Sequence, residues 1–302
     1  MKSLLLTGAT GFIGRHCLPL LAALGYEIHA VSSRPRSESA LDVHWHQLDL
    51  LDWRQIANLL SDVRPTHLLH LAWYVAPGKL ATSNDNYLWV QASLELFRQF
   101  HEHGGQRAVI AGSGYEYDWH YGYCSEALTP KVPNTFYGAC KHALHSLVEA
   151  YSNQTELRSA WARIFFLYGP HEHPDRLVSS VIRSLLRGEP ALCSHGRQIR
   201  DYLYVQDVAD ALITLLESDV VETVNIGSGN PITLKDLICQ TASKLNRRDL
   251  VRLGAVPSHP FDSRLVVADT TRLSTELGWQ PKYDLDRGLD ETIAWWRDNL
   301  AA

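Results

Sequence analysis

The stretch "TFYGACKHAL", residues 135–144, carries Tyr137 and Lys141 four positions apart. On a helix that spacing puts both side chains on one face. A phenol one turn from an ammonium is a proton donor whose acidity a neighbouring charge can tune. The same spacing also suits a plain surface pair, and the rest of the chain must decide between them. A free phenol has a pKa of about 10, and bringing it to near 7 takes roughly 4 kcal/mol in favour of the phenolate. A nearby cation can supply that in a desolvated pocket.

A second constellation lies at the start of the chain. "TGATGFIG" spaces Gly8, Gly11 and Gly14 as G-x-x-G-x-x-G, directly after the apolar run "SLLLT" and before a helical pattern. That context is what a dinucleotide-binding turn requires: two glycines for a tight turn and close approach of a pyrophosphate, a third for helix–sheet packing, and a helix N-terminus for the phosphates. NAD-binding chains place an acidic residue at the end of the second strand for the ribose 2′-hydroxyl. Here "VSSRPR" stands there instead, with Ser32, Ser33, Arg34 and Arg36. Hydroxyls and guanidiniums suit a 2′-phosphate. The expectation is therefore NADP(H), with NAD(H) the alternative, and Arg15 is expected to add to the phosphate grip. Asp49, in "HQLDL", is a candidate acceptor for the adenine amino group or a plain turn residue.

The elements that must position these groups read as an α/β chain. "SLLLTG", "EIHAVSS", "VHWHQLDL", "THLLHLAW", "RAVIAGS" and "RSAWARIFFLYG" read as six strands, and helical patterns separate most of them. Strands alternating with long helices imply a Rossmann-like, doubly wound parallel sheet. After residue 167 Pro and Gly become frequent and the rhythm loosens. A cofactor domain over 1–167 and a smaller substrate domain over 168–302 are expected, part of the latter returning to the first sheet. "GLDETIAWWRDNL" closes the chain as a helix packing Trp295 and Trp296 inward.

Bulk properties narrow the classes. The 302 residues carry a net charge of −5 and 45% apolar residues, an ordinary globular composition that gives nucleic-acid binding no electrostatic support. The cysteines, at 17, 124, 140, 193 and 239, have no CxxC spacing and suggest free thiols in a reducing compartment. The first apolar stretch is broken by Arg15 and His16, too short for a bilayer and unlike a signal peptide. A cytoplasmic protein with no membrane partner is expected. "HEH" at 171–173 and the pair His142/His145 lack the convergent spacing of a zinc site, so no metal is expected.

With "TGATGFIG", "HLLHLAW", "YGACK", "RIFFLYGP" and "IRDYLYVQDVADAL" in order, the chain resembles the extended short-chain dehydrogenases, and within them the NAD-dependent epimerase/dehydratase family acting on nucleotide sugars. The resemblance runs nearly end to end. It implies cofactor contacts from Gly8, Gly11, Phe12, Ile13, Gly14, Ser32, Ser33, Arg34, Arg36, Asp49, Leu50, Leu71, Ala72, Tyr137 and Lys141. It implies a homodimer through the helices around 86–102 and 136–152, and a nucleotide-diphosphate sugar substrate. The family's Y-x-x-x-K falls on Tyr137 and Lys141 and its catalytic Ser/Thr on Ser113. In chemical terms, Tyr137 protonates a carbonyl oxygen that Ser113 also holds, while Lys141 tunes the phenol and bonds the nicotinamide ribose.

The departures are as informative as the matches. The family's dehydratases follow the Ser/Thr with Asp and Glu, which remove water. Gly114 and Tyr115 stand in those places, and Glu116 comes one position late. Trp89 and Phe166 replace two asparagines that touch substrate or cofactor in the family. A 4,6-dehydratase is therefore not expected. The "SSRPR" loop and the likeness to nucleotide-sugar 4-ketoreductases favour a reductase, and a nucleotide-sugar epimerase or a non-catalytic dinucleotide-binding protein are the alternatives. At the substrate end Arg200 stands where the family clamps the diphosphate, unless it pairs with Asp201 or Asp207. His259, with Arg264 nearby, is the candidate second clamp. Tyr115, first ring of the aromatic run "GYEYDWHYGY", is the candidate sugar contact.

Overall fold

The structure is a computed structural model and describes residues 2–35, 41–258 and 262–300. The first half runs β1 (Ser3–Thr7), α1 (Gly14–Ala23), β2 (Glu27–Ser32), β3 (Val43–Gln47), α2 (Trp53–Val63), β4 (His67–His70), α3 (Asp85–Glu102), β5 (Arg107–Ser113), β6 (Tyr123–Cys124), α4 (Phe136–Gln154) and β7 (Arg158–Ile164). The second runs β8 (Phe166–Tyr168), α5 (Leu177–Leu186), β9 (Ala191–Cys193), β10 (Ile199–Tyr204), α6 (Val205–Glu217), β11 (Glu222–Ile226), β12 (Pro231–Thr233), α7 (Leu234–Lys244), β13 (Val251–Leu253), β14 (Leu265–Ala268), α8 (Thr271–Thr275) and α9 (Leu285–Asn299).

Strands β1 and β5 are buried at every residue. Such runs belong to a sheet covered on both faces, and all-parallel pairing is their usual arrangement. Seven strands pair in the order β3-β2-β1-β4-β5-β7-β11, every ladder parallel. The order reverses between β1 and β4. Ligands in such sheets bind at the carboxyl ends of the strands flanking that reversal. Both the glycine turn after β1 and the segment after β4 open there.

The expected sixth strand is two strands. The Phe165 amide makes the last bond of the large sheet, to the Ile226 carbonyl at 3.0 Å. Beyond it β8 leaves to pair with β10 in a second sheet, ordered β12-β10-β14-β6. A continuous apolar run does not disclose a change of sheet when both sheets bury it. Phe165 fills the junction, with its ring against the Gly114 backbone. The smaller domain has its own core around Tyr168, Val178, Ile182, Leu237, Leu289, Ile293 and Trp296. Trp296 is buried in it and Trp295 packs half-exposed at its edge. Leu212 and Leu215 of α6 share the α1 core with Leu18 and Leu21. Arg107 donates to the Leu215 and Val220 carbonyls at 2.6 and 2.7 Å, satisfying the end of α6. Among the described residues no helix is long and apolar enough to cross a membrane.

Two buried carboxylates act as backbone clamps. Asp207 accepts the Lys282 and Tyr283 amides, each at 3.0 Å. Asp201 accepts the amides of Ser228, Gly229 and Ala268 at 2.6, 3.1 and 3.0 Å. Replacing Asp201 by Ala would strand three amides at about 1–3 kcal/mol apiece. We expect Asp201→Ala to lose at least about 3 kcal/mol of stability, measured as a shift of the urea midpoint at unchanged m-value.

Candidate active site

At the switch point the chain leaves no room for side chains. Gly8 has φ +70°, and a Cβ there would lie 2.8 Å from the Ala72 amide nitrogen and 2.9 Å from the Leu71 carbonyl carbon. A Cβ on Gly14 would lie 2.2 Å from the Gly8 carbonyl oxygen, and one on Gly11 would lie 3.0 Å from the same atom. The three glycines therefore let β1, the segment 71–72 and the start of α1 meet. Phe12 and Ile13 sit half-buried on the turn. This cradle fits the pyrophosphate of a dinucleotide: bare backbone at a helix N-terminus.

The adenosine end is formed by the tips of β2 and β3. Ser32 is buried and its Oγ accepts the Arg34 amide at 3.2 Å, which shapes the loop. Ser33 and Arg34 face solvent. Asp49 is exposed and accepts the Leu51 amide at 2.9 Å, while Leu50 is buried beside it. Arg36 lies outside the described residues. Arg15 donates to the Thr10 and Gly11 carbonyls and meets His171 Nδ1 at 2.6 Å, bracing the glycine turn. Through His171 it reaches the loop after β8.

Ser113 ends β5, and Tyr137 and Lys141 occupy the first two turns of α4. The Thr135 side chain caps that helix by accepting the Gly138 amide at 3.0 Å. A Cβ on Gly138 would lie 2.2 Å from the Tyr115 carbonyl oxygen, so only glycine lets α4 press this closely on the end of β5. All three side chains are buried. Burial pushes the Tyr137 phenol above its usual range, and a hydrogen bond from Ser113 opposes that shift. Lys141 Nζ donates to the Ala111 carbonyl at 2.8 Å and lies 3.6 Å from the centre of the Trp73 ring. Desolvation lowers the ammonium to about 7, with the Glu116 charge holding it up. The lowered phenol expected from the sequence needs the positive nicotinamide ring beside it as well as the lysine. Lys141 is turned to a carbonyl and a ring, and its own charge is suppressed by burial.

Glu116 points into the core. Its Oε1 accepts the Ser113 amide at 2.7 Å and Trp161 Nε1 at 2.8 Å, and its Oε2 accepts Arg163 Nε at 2.9 Å. Both members of the ion pair are fully buried. Arg163 continues to the Tyr117 hydroxyl at 3.2 Å and His145 Nδ1 at 3.3 Å. Glu116, His142 and His145 bring donor atoms within 4.8 Å of one another. The carboxylate is held by Arg163, Trp161 and the Ser113 amide, and the second His145 nitrogen by Thr223 at 3.0 Å. That leaves no set of free donors. In "HEH" the residues diverge: His171 meets Arg15, Glu172 is buried against Ser179 Oγ at 2.7 Å, and His173 accepts the Asp175 amide.

The wall facing Tyr137 is aromatic. Tyr115 lies 5.7 Å from it, ring to ring, and 4.4 Å from Trp119. Trp73 lies 6.3 Å from Tyr137 on the other side. Sequence reasoning missed Trp73. Its signal was position, just past the end of β4 at the switch point. Trp89 packs on Trp73 at 6.2 Å, and Phe166 lies beneath the Arg200 guanidinium at 5.3 Å. Arg200 pairs with neither Asp201 nor Asp207. It donates to Asp262, to the Ser263 carbonyl at 2.7 Å and to its own neighbour's carbonyl, that of Ile199, at 2.8 Å. A cleft of about 910 Å³ adjoins it, lined by Arg197, Gln198, Lys235, Asp262 and Arg264 among others. His259 lies outside the described residues.

A Rossmann-like sheet with a glycine cradle at its switch point, and a buried Ser–Tyr–Lys set beside it, is the arrangement of a nicotinamide-dinucleotide enzyme of the short-chain type. Residues 4–227 match the model of the NAD dependent epimerase/dehydratase family, and the chain belongs to that family. Over 99% of its length it is 26% identical to a dTDP-glucose 4,6-dehydratase of Neisseria gonorrhoeae, covering 96% of that protein. Over 98% it is 24% identical to a UDP-glucuronate 4-epimerase of Thermodesulfobacterium geofontis, again covering 96%. Among solved structures it superposes on a Thermus thermophilus UDP-glucose 4-epimerase in complex with NAD (TM-score 0.88, 25% identity, 98% and 99% of the two chains). It also superposes on MoeE5 in complex with UDP-glucuronic acid and NAD (TM-score 0.87, 29% identity, 99% and 100%).

The depressed ammonium sets a pH signature. Lys141 binds its proton less tightly folded, at about 7, than at the ordinary 10.5 of an unfolded lysine. Between those values the unfolded chain binds more protons, so this group makes stability rise with pH, by up to ~1.4 kcal/mol per unit. The penalty is complete below about 7 and gone near 10.5. In urea unfolding at pH 7 and pH 9.5 we expect the wild type to gain stability relative to Lys141→Met at the higher pH. A constant difference would show that Lys141 is not desolvated.

Proposed function

We propose that the protein reduces the carbonyl of a 4-keto-6-deoxy nucleotide sugar with NADPH. One observation carries the reading: the Ser113, Tyr137 and Lys141 set is assembled, while the acid–base carboxylates of elimination are missing. Gly114 and Tyr115 occupy their places, and Glu116 is sealed in an ion pair with Arg163. The bound dinucleotide supplies the hydride. As the carbonyl carbon gains it, Tyr137 gives its proton to the oxygen, and the Ser113 hydroxyl donates a hydrogen bond to the same atom. With the cofactor bound, Lys141 would be the cation that holds the charge left on the phenolate, its remaining donors turning from the Trp73 ring to the nicotinamide ribose. The Trp73 ring over Lys141 keeps water from the ammonium. Exposed Ser33 and Arg34 support NADP(H) through its 2′-phosphate. Arg197, Lys235 and Arg264, which line the cleft, support a diphosphate-linked sugar, and Arg200, buried behind the lining residue Asp262, would join them once Asp262 yields its hold. Tyr115 offers a ring to the sugar. Exposed Tyr87, Leu88 and Leu147 on α3 and α4 support a homodimer through these helices, and free thiols support a cytoplasmic setting.

A nucleotide-sugar 4-epimerase is the second reading, favoured by the epimerases among the relatives and by the NAD in their structures. It would use the same three residues with a retained cofactor. Net NADPH consumption with a 4-keto-6-deoxy nucleotide sugar, followed by absorbance, is the expected result. Epimerised sugar with co-purifying NAD and no NADPH consumed would show the second reading instead. In either assay Tyr137→Phe should cut kcat by about 10²–10⁴-fold.

A further inference from the structure

Strands β2 and β3 carry a cluster that the chemistry above leaves unused. Ile28, Ala30, Val43 and Trp45 pack into the core around α1, so alternation turns His29, His44 and His46 to the other face of the sheet. In the parallel register His29 lies beside His44, and Val31 beside His46. The His29 ring is stacked between the other two, with centroids 5.0 Å from His44 and 5.2 Å from His46. His29 Nδ1 lies 3.0 Å from His46 Nε2, and His29 Nε2 lies 3.6 Å from Glu27 Oε1. His29 is buried, His46 half-buried and His44 exposed.

Two of these nitrogens already lie at the spacing of a shared ligand, and the third imidazole has to turn in to complete a metal site. His-x-His on one strand and a third histidine on its neighbour put three imidazoles on one face. Nitrogens bound to tetrahedral zinc at about 2.0–2.1 Å lie about 3.3 Å from each other, so His29 Nδ1 and His46 Nε2 need separate only slightly to admit an ion. Glu27 faces the other nitrogen of His29. A carboxylate there fixes the tautomer and raises the basicity of a ligating imidazole. His44, with solvent beside it, is free to turn in as third ligand, and water completes the set. A hydrogen bond between two imidazoles accounts for the His29–His46 contact alone and leaves Glu27 and His44 without a role. Burial lowers the pKa of His29 and His46, which favours the neutral form that ligates.

We propose that His29, His44 and His46, with Glu27 behind His29, bind a divalent transition cation of the imidazole-preferring class, Zn²⁺ foremost. The ion would staple the edge strand β3 to β2 just before Ser32 and Asp49, the adenosine end of the crevice. The site stands independently of the proposed reaction.

The test uses the full chain without a polyhistidine tag, stripped with chelator and titrated with CoCl₂ under visible absorption. We expect one equivalent per chain with the intense bands of tetrahedral Co²⁺, displaced by ZnCl₂ and not by MgCl₂. His44→Ala, at an exposed position, should weaken uptake at least tenfold, and Glu27→Gln about 10–100-fold. His142→Ala should change nothing. A spectrum without tetrahedral bands, uptake unaltered in His44→Ala, or bands lost in His142→Ala would each overturn the proposal.

Discussion

The buried Glu116 carboxylate is the contact on which the site's geometry depends. It collects the Ser113 amide, the Trp161 indole and the Arg163 guanidinium at 2.7–2.9 Å with no water contact. A carboxylate in that position is tolerable because every donor is matched. Removing one partner from such a pair costs about 3–5 kcal/mol, against about 0–1 for a solvent-facing pair such as Arg98 and Glu102. The backbone is shaped for it. A Cβ on Gly112 would lie 2.7 Å from Glu116 Oε1 and 2.1 Å from Trp161 Nε1. The end of β5, and with it the Ser113 backbone, is therefore fixed from behind by a carboxylate turned into the core.

From that anchor the network spreads across elements that lie far apart in sequence. Arg163 on β7 reaches Tyr117 and His145, Tyr117 donates to Asn225 Oδ1 at 2.8 Å, and Asn225 donates to the Cys124 and Asp269 carbonyls. The large sheet and the smaller domain thus share one buried polar system directly behind the crevice. Interior polar groups of this kind rigidify when fully satisfied. The cost of burial falls on Lys141, whose partners are a carbonyl and an indole ring rather than a carboxylate within bonding distance.

Some of this was legible in the sequence, and the reason is locality. The glycine turn, the buried strands and the Tyr137–Lys141 spacing are patterns within a few residues, where periodicity and sterics act directly. The features that were not legible are set by long-range register. The break of a single apolar run at Phe165 depends on Ile226. The Arg200 partner, Asp262, is 62 positions away, while the nearer Asp201 and Asp207 are held by backbone amides. The phenol of Tyr137 is shifted upward by burial, which no spacing rule reports, against a hydrogen bond from Ser113. The triple histidine stack needed the alignment of β2 with β3.

The same locality argument bears on reaction type. One inserted position separates Glu116 from the place where the family's dehydratases carry glutamate. On the short turn after β5 that offset rotates the side chain from the crevice into the core, where Arg163 neutralises it. Tyr115 takes the vacated place and presents a ring instead of a base. Proton abstraction from a sugar carbon needs a carboxylate or its equivalent facing that carbon. Hydride transfer needs a held oxygen and a proton donor, and a serine hydroxyl and a phenol, those of Ser113 and Tyr137, are buried at this end of the crevice. A single-residue shift, fixed by a buried ion pair, thus takes the carboxylate out of that place without altering the cofactor cradle.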